Sequence, residues 1–450
     1  MEEEIVVTKE TNIREIVLDI LLEVMEKGNY SHLILSQALE KYQYLEKQDR
    51  AFITRVTEGT LEYQLRLDAV IDRFSKVKVK KMKPVIRTIL RMSAYQILFM
   101  ERVPDSAVCN EAVKLAKKRR FDGLSGFVNG VLRNISREKG SLSFTAPEER
   151  LLMPGWILSM WEKEYGRETA EKIAESFLTE RPLSVRINQS LASRKTVLES
   201  LGAQGLSVSE DWGPGFVLSI KDYDYLDQVE AFSKGWITVQ DFSSSLVGVI
   251  AEPKSGDFVL DVCSAPGGKT LDMADRLSGT GLVEARDLTE YKISLVEQNV
   301  SRCGFANVRT KAADARIFDA ESEGKADLVL ADLPCSGLGI IGKKPDIRMR
   351  LKESDLSSLA ALQREILSAV WRYVKPGGTL IYSTCTIDRM ENEENAAWIL
   401  NNLPFRKKKI SGLLPEPLRG WCHENEIQLL PGVFPCDGFY IAAFERKEQE

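Results

Sequence analysis

The chain has 450 residues, more than one ordinary hydrophobic core organises, so two or three domains are expected. Hydrophobic residues make up 44% and charged residues 28%, and no apolar run approaches the roughly 18 residues that span a bilayer, which argues against a membrane protein. The seven cysteines form no C-x-x-C pair and the start is acidic, so we predict a cytoplasmic protein with no disulfide framework, no secretory signal and no metal site.

The formal net charge of −5 is divided unevenly along the chain. Residues 51–140 hold 19 Lys and Arg against 9 Asp and Glu, whereas residues 141–450 hold 36 against 46. A single basic cluster is equally compatible with a solvated face, but two clusters in one small region favour RNA binding, because phosphate contacts need local positive charge. The first cluster is Lys76, Lys78, Lys80, Lys81 and Lys83, and the second is Lys117, Lys118, Arg119 and Arg120.

Residues 1–140 are predicted to form an all-α domain. From residue 5 onward apolar residues recur at helical spacing, and short turns rich in Gly, Pro or Lys separate the segments. The predicted helices are Ile13–Met25, Asp49–Leu65, Pro84–Met100, Ser106–Arg120 and Gly126–Arg137.

A mixed segment follows, and residues 145–238 are predicted to form a small α/β subdomain of RRM-like type. Pro147 and Pro154 suggest that it begins with a linker-like stretch. Its predicted elements are a helix near Glu168–Leu178, a strand at Leu183–Ile187, a helix at Ser193–Leu201, and strands near Phe216–Ile220 and Trp236–Val239.

Residues 239–450 alternate short apolar runs with amphipathic stretches, which predicts a Rossmann-like, doubly wound parallel sheet. Nearly all-apolar runs are typical of strands buried on both faces. The clearest helices are Tyr291–Cys303 and Leu356–Tyr373. The predicted strands are Phe258–Cys263, Gly281–Asp287, Val308–Asp314, Ala326–Asp332 and Thr379–Thr384.

Aspartates and a glycine-rich turn follow these strands, at the edge where ligands bind in a doubly wound sheet. Asp287 is placed to accept both hydroxyls of a ribose, Asp314 to lie near an adenine edge, and Asp332 ends the fourth strand. One such aspartate alone is more often a turn or cap residue, but four strand ends in register predict a site for S-adenosylmethionine. The first strand, with Asp261 near its end and Cys263 as its last residue, leads into the turn Ser264, Ala265, Pro266, Gly267, Gly268 and Lys269. Cys263 and this turn are predicted to bind the cofactor, because the small residues let the backbone approach a ligand.

Two other kinds of nucleotide site fit this turn less well. The run Gly268–Thr270 resembles the end of a phosphate-binding loop, but Cys263 stands where that motif needs glycine. The dinucleotide fingerprint G-x-G-x-x-G is also missing. A series of carboxylates suits a nucleoside with an amino-acid sulfonium tail better than a polyphosphate.

Two thiols follow neighbouring strands if the first, fourth and fifth predicted strands lie side by side in the sheet, in the order 1-4-5. Cys335 comes after the fourth strand and Cys385 after the fifth, so both would lie beside the methyl donor. An isolated cysteine is more often inert, but this pair suggests thiolate addition to C6 of a flipped-out cytosine, which makes C5 nucleophilic. Asp332 could then hydrogen-bond the N3/N4 edge of the base.

These motifs resemble the RsmB (Sun, Fmu) family of bacterial small-subunit rRNA cytosine-5 methyltransferases, within the NOL/NOP2/Sun group. The catalytic half matches through its glycine-rich turn and both cysteine motifs, and the helical half is similar to a NusB-type RNA-binding domain. The matching stretches are Cys263–Thr270, Asp332–Cys335, Ser383–Thr386, Val239–Ser244, Leu430–Gly432 and Asp437–Tyr440, with Asp49–Phe52 and Gly126–Arg133 in the helical half.

The resemblance implies a division of labour between the thiols: Cys385 would be the nucleophile and Cys335 would help to release the product. It also implies an enzyme that uses S-adenosylmethionine to methylate C5 of one cytosine in 16S rRNA, and we expect this enzyme to be a monomer. DNA cytosine-5 enzymes use the Pro-Cys thiol instead. The alternatives are the same chemistry on tRNA or DNA, or a non-catalytic NusB-like RNA-binding factor.

Overall fold

The computed structural model describes residues 12–179, 181–209 and 215–448. The chain divides into two compact units, residues 1–174 with 341–350, and residues 175–340 with 351–450. The predicted helical start at residues 5–11 lies outside the described residues. The domain boundaries predicted at residues 140, 145, 238 and 239 remain predictions. Among the described helices, none is long and apolar enough to cross a membrane.

Helices and strands alternate in the second unit, whereas the first unit is helical. In chain order the helices are α1 (Ile13–Met25), α2 (Ser31–Lys41), α3 (Lys47–Glu62), α4 (Gln64–Phe74), α5 (Pro84–Phe99), α6 (Asp105–Lys118), α7 (Ser125–Glu138), α8 (Pro147–Leu151), α9 (Gly155–Tyr165), α10 (Arg167–Ser176), α11 (Arg194–Ala203), α12 (Glu230–Ser233), α13 (Phe242–Ala251), α14 (Gly268–Arg276), α15 (Glu290–Cys303), α16 (Ile347–Arg350), α17 (Glu353–Val370), α18 (Glu393–Asn402) and α19 (Glu416–Arg419). The strands are β1 (Leu183–Ile187), β2 (Ser207–Ser209), β3 (Val217–Lys221), β4 (Ile237–Val239), β5 (Phe258–Asp261), β6 (Leu282–Asp287), β7 (Val308–Ala312), β8 (Ala326–Asp332), β9 (Val374–Thr384), β10 (Phe405–Lys407), β11 (Cys422–His423), β12 (Glu426–Leu429) and β13 (Phe439–Arg446).

The first unit confirms most of the predicted helices. Helix α1 has the predicted bounds, and the Asn12 side chain caps it by accepting from the backbone N–H of Glu15. The single helix predicted over Asp49–Leu65 is wrong: the chain breaks at Tyr63, between α3 and α4. The prediction also missed α2, and the stretch predicted as linker-like around Pro147 is helical, with Pro147 at the first turn of α8.

Residues 341–350 belong to the first unit, although both flanking segments belong to the second. Arg348 is buried there, and its guanidinium donates to the carbonyl oxygen of Leu152 at 2.7 Å. Burial lowers the pKa of Arg348 to about 10. Ser31 Oγ donates to the buried carboxylate of Asp346 at 2.5 Å. Sequence reasoning gave no indication of this packing.

In the second unit a small antiparallel sheet has the strand order β2-β3-β1-β4. Its apolar face is buried together with α11 through Val185, Ile187, Val197 and Leu201. The predicted strands at Leu183–Ile187, near Phe216–Ile220 and near Trp236–Val239 are therefore present, with ends that differ by one residue at most.

The large sheet of the second unit positions the candidate site. Its strand order is β11-β12-β13-β9-β8-β5-β6-β7, with β10 paired to β13. Strands β5 to β9 are parallel, and β8 lies between β5 and β9 as the predicted order 1-4-5 requires. The sheet is mixed rather than purely parallel, because β13 pairs antiparallel with β9 and β12.

Two details of the predicted strands need correction. Strand β7 ends at Ala312, and its residues alternate between partly buried and exposed because it is the sheet's edge strand. Strand β5 ends at Asp261. Cys263 and Asp314 therefore lie in the turns that follow these strands, at the edge where ligands bind in such sheets.

Candidate active site

The turn between β5 and α14 is held by hydrogen bonds to β6 and to its own helix. Thr270 Oγ1 donates to Asp261 Oδ2 at 2.7 Å, and the backbone N–H of Ala265 donates to Asp287 Oδ2 at 2.9 Å. Gly267 caps α14 with φ of 110°, a conformation that favours glycine. A Cβ atom added at Gly268 would meet nothing within 4 Å, so open space lies beside the start of the helix.

Asp287 is buried at the end of β6 and accepts three hydrogen bonds. Its Oδ1 accepts from Lys292 Nζ at 2.9 Å and from the backbone N–H of Leu288 at 2.7 Å, while Oδ2 accepts from Ala265. The side chain is therefore fixed before any ligand arrives. Lys292 remains half-exposed and can move away from the carboxylate.

Asp314 pairs with Arg316, which donates to both carboxylate oxygens at 2.6 to 3.2 Å. This ion pair and a backbone hydrogen bond lower the pKa of Asp314. Asp314 also lines a cavity of about 310 Å³ with Val262, Phe318 and Tyr373. The lining comes mainly from the segments that follow β5 and β7, together with the ring of Tyr373.

Lys269, which follows β5, forms an ion pair with Asp332 at the end of β8. Its Nζ donates to Asp332 Oδ2 at 2.6 Å and lies 5.0 Å from the centre of the Phe439 ring. Asp332 Oδ1 accepts from Ser383 Oγ at 2.8 Å, and these two residues are partners in the parallel pairing of β8 and β9. Three segments that are distant in sequence thus meet at one carboxylate.

The two candidate thiols lie together, just beyond the paired ends of β8 and β9. Cys335 Sγ is 3.3 Å from Cys385 Sγ, and both side chains are partly buried. The backbone N–H of Gly339 donates to the carbonyl oxygen of Cys385 at 3.1 Å, which holds the loop after Cys335 against the end of β9. The predicted meeting of these thiols is therefore present in the fold, whereas their chemical roles stay predictions.

Burial controls the protonation of the site. It raises the pKa of Asp261 to about 7, against an opposing hydrogen bond from Thr270, and the charge of Asp332 adds to the increase. Burial by itself would lower the pKa of Lys269, but Asp332 outweighs burial, so the pKa of Lys269 is raised and the side chain stays cationic. Cys263 has a raised pKa because it is buried and near Asp287.

The hydrogen bond between the thiols distinguishes them. The pKa of Cys335 is raised well above its usual value, first by the hydrogen bond to Cys385 and then by burial. Cys335 therefore keeps its proton at neutral pH and can donate it toward the Cys385 sulfur.

Sequence reasoning missed the residues that support the thiols. Gln363 looks like an ordinary helix residue in the sequence, and Glu391 is one of several acidic residues near the start of α18, whereas Ser383 stands out only as part of the Ser383–Thr386 motif. Only the fold buries Glu391 beside the Cys335 loop, where burial raises its pKa to about 7. Within the described residues, no group of three or more His, Cys, Asp and Glu side chains is arranged to hold a metal ion.

The basic clusters of the helical unit differ in how they are paired. All five lysines of the first cluster are exposed, and of these Lys78 pairs with Asp72 at 3.6 Å. In the second cluster Lys118 contacts Glu15, and Arg119 pairs with Asp19 at 2.6 Å, so part of the charge is neutralised. The first cluster is consequently the better candidate for contacts with phosphate groups.

Three family models match successive parts of the chain. They are the NusB family over residues 11–137, a ferredoxin-like domain of RsmF/B-like methyltransferases over residues 153–218, and the 16S rRNA methyltransferase RsmB/F family over residues 248–445. With the folds described above, these matches confirm the predicted NusB-like, small α/β and Rossmann-like methyltransferase parts.

Two curated relatives and one solved structure match nearly the whole chain, and a second solved structure matches about two thirds of it. A probable ribosomal RNA small subunit methyltransferase B of Bacillus subtilis is 36% identical and covers 98% of this chain and 100% of the relative. The ribosomal RNA small subunit methyltransferase B of Vibrio vulnificus is 30% identical, covering 97% and 100%. The crystal structure of PH0851 is 27% identical with a TM-score of 0.81, covering 96% and 98%. A methyltransferase homologue from Pyrococcus horikoshii is 25% identical with a TM-score of 0.56, covering 66% and 97%.

Proposed function

Because the chain belongs to the RsmB family of ribosomal RNA small subunit methyltransferases, we propose that it methylates C5 of a cytosine in 16S rRNA with S-adenosylmethionine as donor. One observation carries this proposal: the Cys335 and Cys385 sulfurs lie 3.3 Å apart, just beyond the ends of β8 and β9. Those two strand ends are joined by the hydrogen bond from Ser383 to Asp332. Thiol addition is a known way to activate C5 of a pyrimidine, which is otherwise a poor nucleophile.

The turn after β5 fits the methyl donor. Two buried side-chain atoms, Asp261 Oδ1 and Ser264 Oγ, have no hydrogen-bond partner among the described residues, and both belong to the segment that leads to the open space at Gly268. The first amides of α14 and the carboxylate of Asp287 add polar groups suited to an amino acid and a ribose. S-adenosylmethionine supplies an electrophilic methyl group when it is bound.

Cys385 is assigned as the nucleophile. Its sulfur forms a bond to C6 of the cytosine, and the electron pair of the C5–C6 double bond moves toward N3, so that C5 can accept the methyl group. Loss of the proton at C5 then restores the double bond and expels the Cys385 thiolate. The target base must leave its stack to reach these groups.

Asp332 and Lys269 do not form bonds to C5 or C6. They interact with the polar edge of the base and with the charge that develops on its ring. Asp332 accepts from Lys269 and Ser383, so its carboxylate has a fixed orientation. A carboxylate in this position can accept a hydrogen bond from the N4 amino group, and the Lys269 ammonium offsets negative charge that develops on the ring. Both effects favour the adduct over the free base.

Cys335 is assigned to product release. Its raised pKa keeps it a neutral thiol beside Cys385, from which it can protonate the departing sulfur. The proton passes from Cys335 to the Cys385 thiolate as the S–C6 bond breaks. The Cys335 sulfur, left negatively charged by this transfer, takes up the proton that is lost from C5.

Methylation of 16S rRNA by the purified protein tests the proposal, with radiolabelled S-adenosylmethionine and bisulfite sequencing of the product. We expect one protected cytosine with wild-type protein and none with Cys385→Ser, while Cys422→Ser, a change to a partly buried thiol far from Asp332 in sequence, leaves the result unchanged. Methylation of tRNA in place of 16S rRNA would contradict the assigned substrate. RNA binding with no transfer to any RNA would favour a non-catalytic NusB-like factor.

A further inference from the structure

The loop that carries Cys335 is anchored on a buried carboxyl group. Glu391 lies between β9 and α18 and is fully buried. Its Oε2 accepts from the backbone N–H of Ser336 at 3.0 Å and from Gln363 Nε2 at 2.8 Å. Burying a carboxyl group costs free energy even when hydrogen bonds offset part of it. The position of Glu391 therefore suggests that its carboxyl group has a function.

Gln363 extends the same anchor to the other side of Cys335. Its Nε2 also donates to the carbonyl oxygen of Pro334 at 2.9 Å. Its Oε1 accepts from Asn395 Nδ2 at 2.7 Å, which fixes the orientation of the amide. One carboxyl group therefore holds the residues on both sides of Cys335, Ser336 directly and Pro334 through Gln363.

The anchor includes a polar atom with no partner. Among the described residues, nothing hydrogen-bonds Glu391 Oε1, although the atom is buried. The titratable groups that face Glu391 are Cys335 from the loop after β8, Asp388 from its own segment and Tyr382 from β9. Helices α17 and α18 contribute the neutral Gln363 and Asn395, and Arg364 of α17 donates to Asn395 Oδ1 at 2.7 Å. A negative charge on Glu391 contributes to the raised pKa values of both Cys335 and Tyr382.

We propose that Glu391 is a positioning residue for Cys335, whose carboxyl group holds the Pro334–Ser336 backbone so that the Cys335 thiol faces the Cys385 sulfur. This inference rests on the proposed function, because it assigns to Glu391 an influence on product release. Burial raises the pKa of Glu391 to about 7, and the charge of Glu391 contributes to the raised pKa of Cys335. Ionisation of Glu391 thus helps Cys335 to keep its proton.

Substitution by Ala and by Gln separates the two effects. Glu391→Ala removes the anchor, whereas Glu391→Gln keeps an acceptor for Ser336 and Gln363 but removes the charge. We expect Glu391→Ala to lower turnover about tenfold or more with little change in KM for RNA, and to accumulate covalent enzyme–RNA complex on denaturing gels. Glu391→Gln should restore most of the turnover. Glu394→Ala, at an exposed position of the same segment, is the matched control and should behave as wild type.

Alkylation of the RNA-free protein by iodoacetamide gives a readout that does not depend on methyl transfer. Peptide mass spectrometry should find Cys335 alkylated faster in Glu391→Gln than in wild type above pH 7, because the thiol has lost a negative neighbour, with Cys385 changed less. A merely structural role would increase alkylation of both thiols alike. Wild-type turnover in Glu391→Ala, or equal loss of adduct formation and turnover, would overturn the proposal. If Cys335→Ala forms no adduct either, the proposed function fails, and the alkylation result still decides the role of Glu391.

Discussion

Cys335 Sγ and Cys385 Sγ lie 3.3 Å apart, each just beyond the end of a parallel strand, with the strands paired directly through Asp332 and Ser383. This pairing brings together two side chains separated by 50 residues in sequence. Because the two thiols share a hydrogen bond, changes to one alter the protonation of the other.

Removal of Cys335 should separate adduct formation from release. In Cys335→Ala the Cys385 sulfur can still attack C6, but it loses the neighbouring proton donor that assists its departure. We expect turnover to fall roughly a hundredfold or more, and a protein–RNA complex to persist on denaturing gels. Cys385→Ala should lose activity without forming the complex. A Cys335→Ala protein with normal turnover would refute the assigned roles.

The short distance between the Cys335 and Cys385 sulfurs predicts that the enzyme is sensitive to oxidation. Hydrogen peroxide converts a thiolate to a sulfenic acid with release of hydroxide, and the second thiol then displaces water to form a disulfide. A disulfide has an S–S distance of about 2.05 Å, so the two sulfurs need to approach by about 1.3 Å. We expect peroxide to inactivate the enzyme with loss of two free thiols, and dithiothreitol to restore it. In Cys335→Ser the sulfenic acid on Cys385 has no second thiol to displace water, so peptide mass spectrometry should find no intramolecular disulfide at Cys385, and a peroxide-induced loss of two thiols that dithiothreitol reverses there would contradict the prediction.

Asp287 should determine affinity for the methyl donor. Substitution by Asn removes the negative charge and one acceptor, although the turn can keep its hydrogen bond from Ala265. Loss of a hydrogen bond to a charged group corresponds to roughly 10- to 100-fold in affinity. Calorimetric titration with S-adenosylhomocysteine measures this loss, and Glu290→Gln, an exposed position at the start of α15, serves as control. Unchanged affinity in Asp287→Asn would exclude the predicted ribose contact.

Asp261 should make stability depend on pH. Its pKa is raised to about 7 in the fold from an ordinary value of 3.8, so the folded state binds a proton that the unfolded chain has lost between pH 4 and 7. Stability contributed at this site is therefore highest near pH 4, falls as the pH rises to 7, and is level above that. Asp261→Asn removes this dependence. As the pH rises from 4 to 7, the unfolding free energy of Asp261→Asn should therefore increase relative to that of wild type by a few kcal/mol. This corresponds to about 1.4 kcal/mol for each unit of pKa shift.

Denaturant unfolding at several pH values between 5 and 8 measures this difference. The magnitude depends on how far Thr270 stabilises the ionised form, but the sign follows from burial alone. Parallel stability profiles for Asp261→Asn and wild type would contradict the raised pKa. Lys254→Gln, at an exposed position before β5, provides a control for general charge effects.

The first basic cluster should contribute to RNA affinity through its charge. Substitution of Lys76, Lys80 and Lys81 by Gln is expected to reduce the slope of log affinity against log salt by about 0.7 to 0.9 for each phosphate group that the protein no longer neutralises. Fluorescence anisotropy with a fragment of 16S rRNA measures the slope. The matched change at Lys117 and Lys118 should have a smaller effect, since Glu15 already contacts Lys118. Equal slopes in all three proteins would exclude the cluster as an RNA-binding surface.

The strand ends of the catalytic region could be predicted from the sequence because buried parallel strands have a simple signature. A short apolar run that ends in Asp261, Asp287 or Asp332 marks both a strand and its carboxyl end, and parallel strands bring these ends to one edge. The meeting of Cys335 and Cys385 followed from the same reasoning once the order 1-4-5 was assumed. Helix α1 was equally clear, because its apolar period is uninterrupted up to Gly28.

Other features were decided by tertiary structure. The antiparallel strands β11 to β13, the helical stretch around Pro147 and the packing of residues 341–350 within the helical unit have no distinctive local pattern. The same holds for the contact between Lys269 and Asp332 and for the anchor at Glu391.

The amino-acid sequence by itself determined the family, the class of sheet and the identity of the candidate reacting side chains, because these depend on motifs and on periodic burial that short segments carry. The burial of Glu391, the amide that bridges it to Pro334 and the raised pKa of Cys335 were decided only when distant segments packed together. The physical reason is that desolvation and hydrogen bonding at one atom depend on every neighbour in space, and most of those neighbours are remote along the chain.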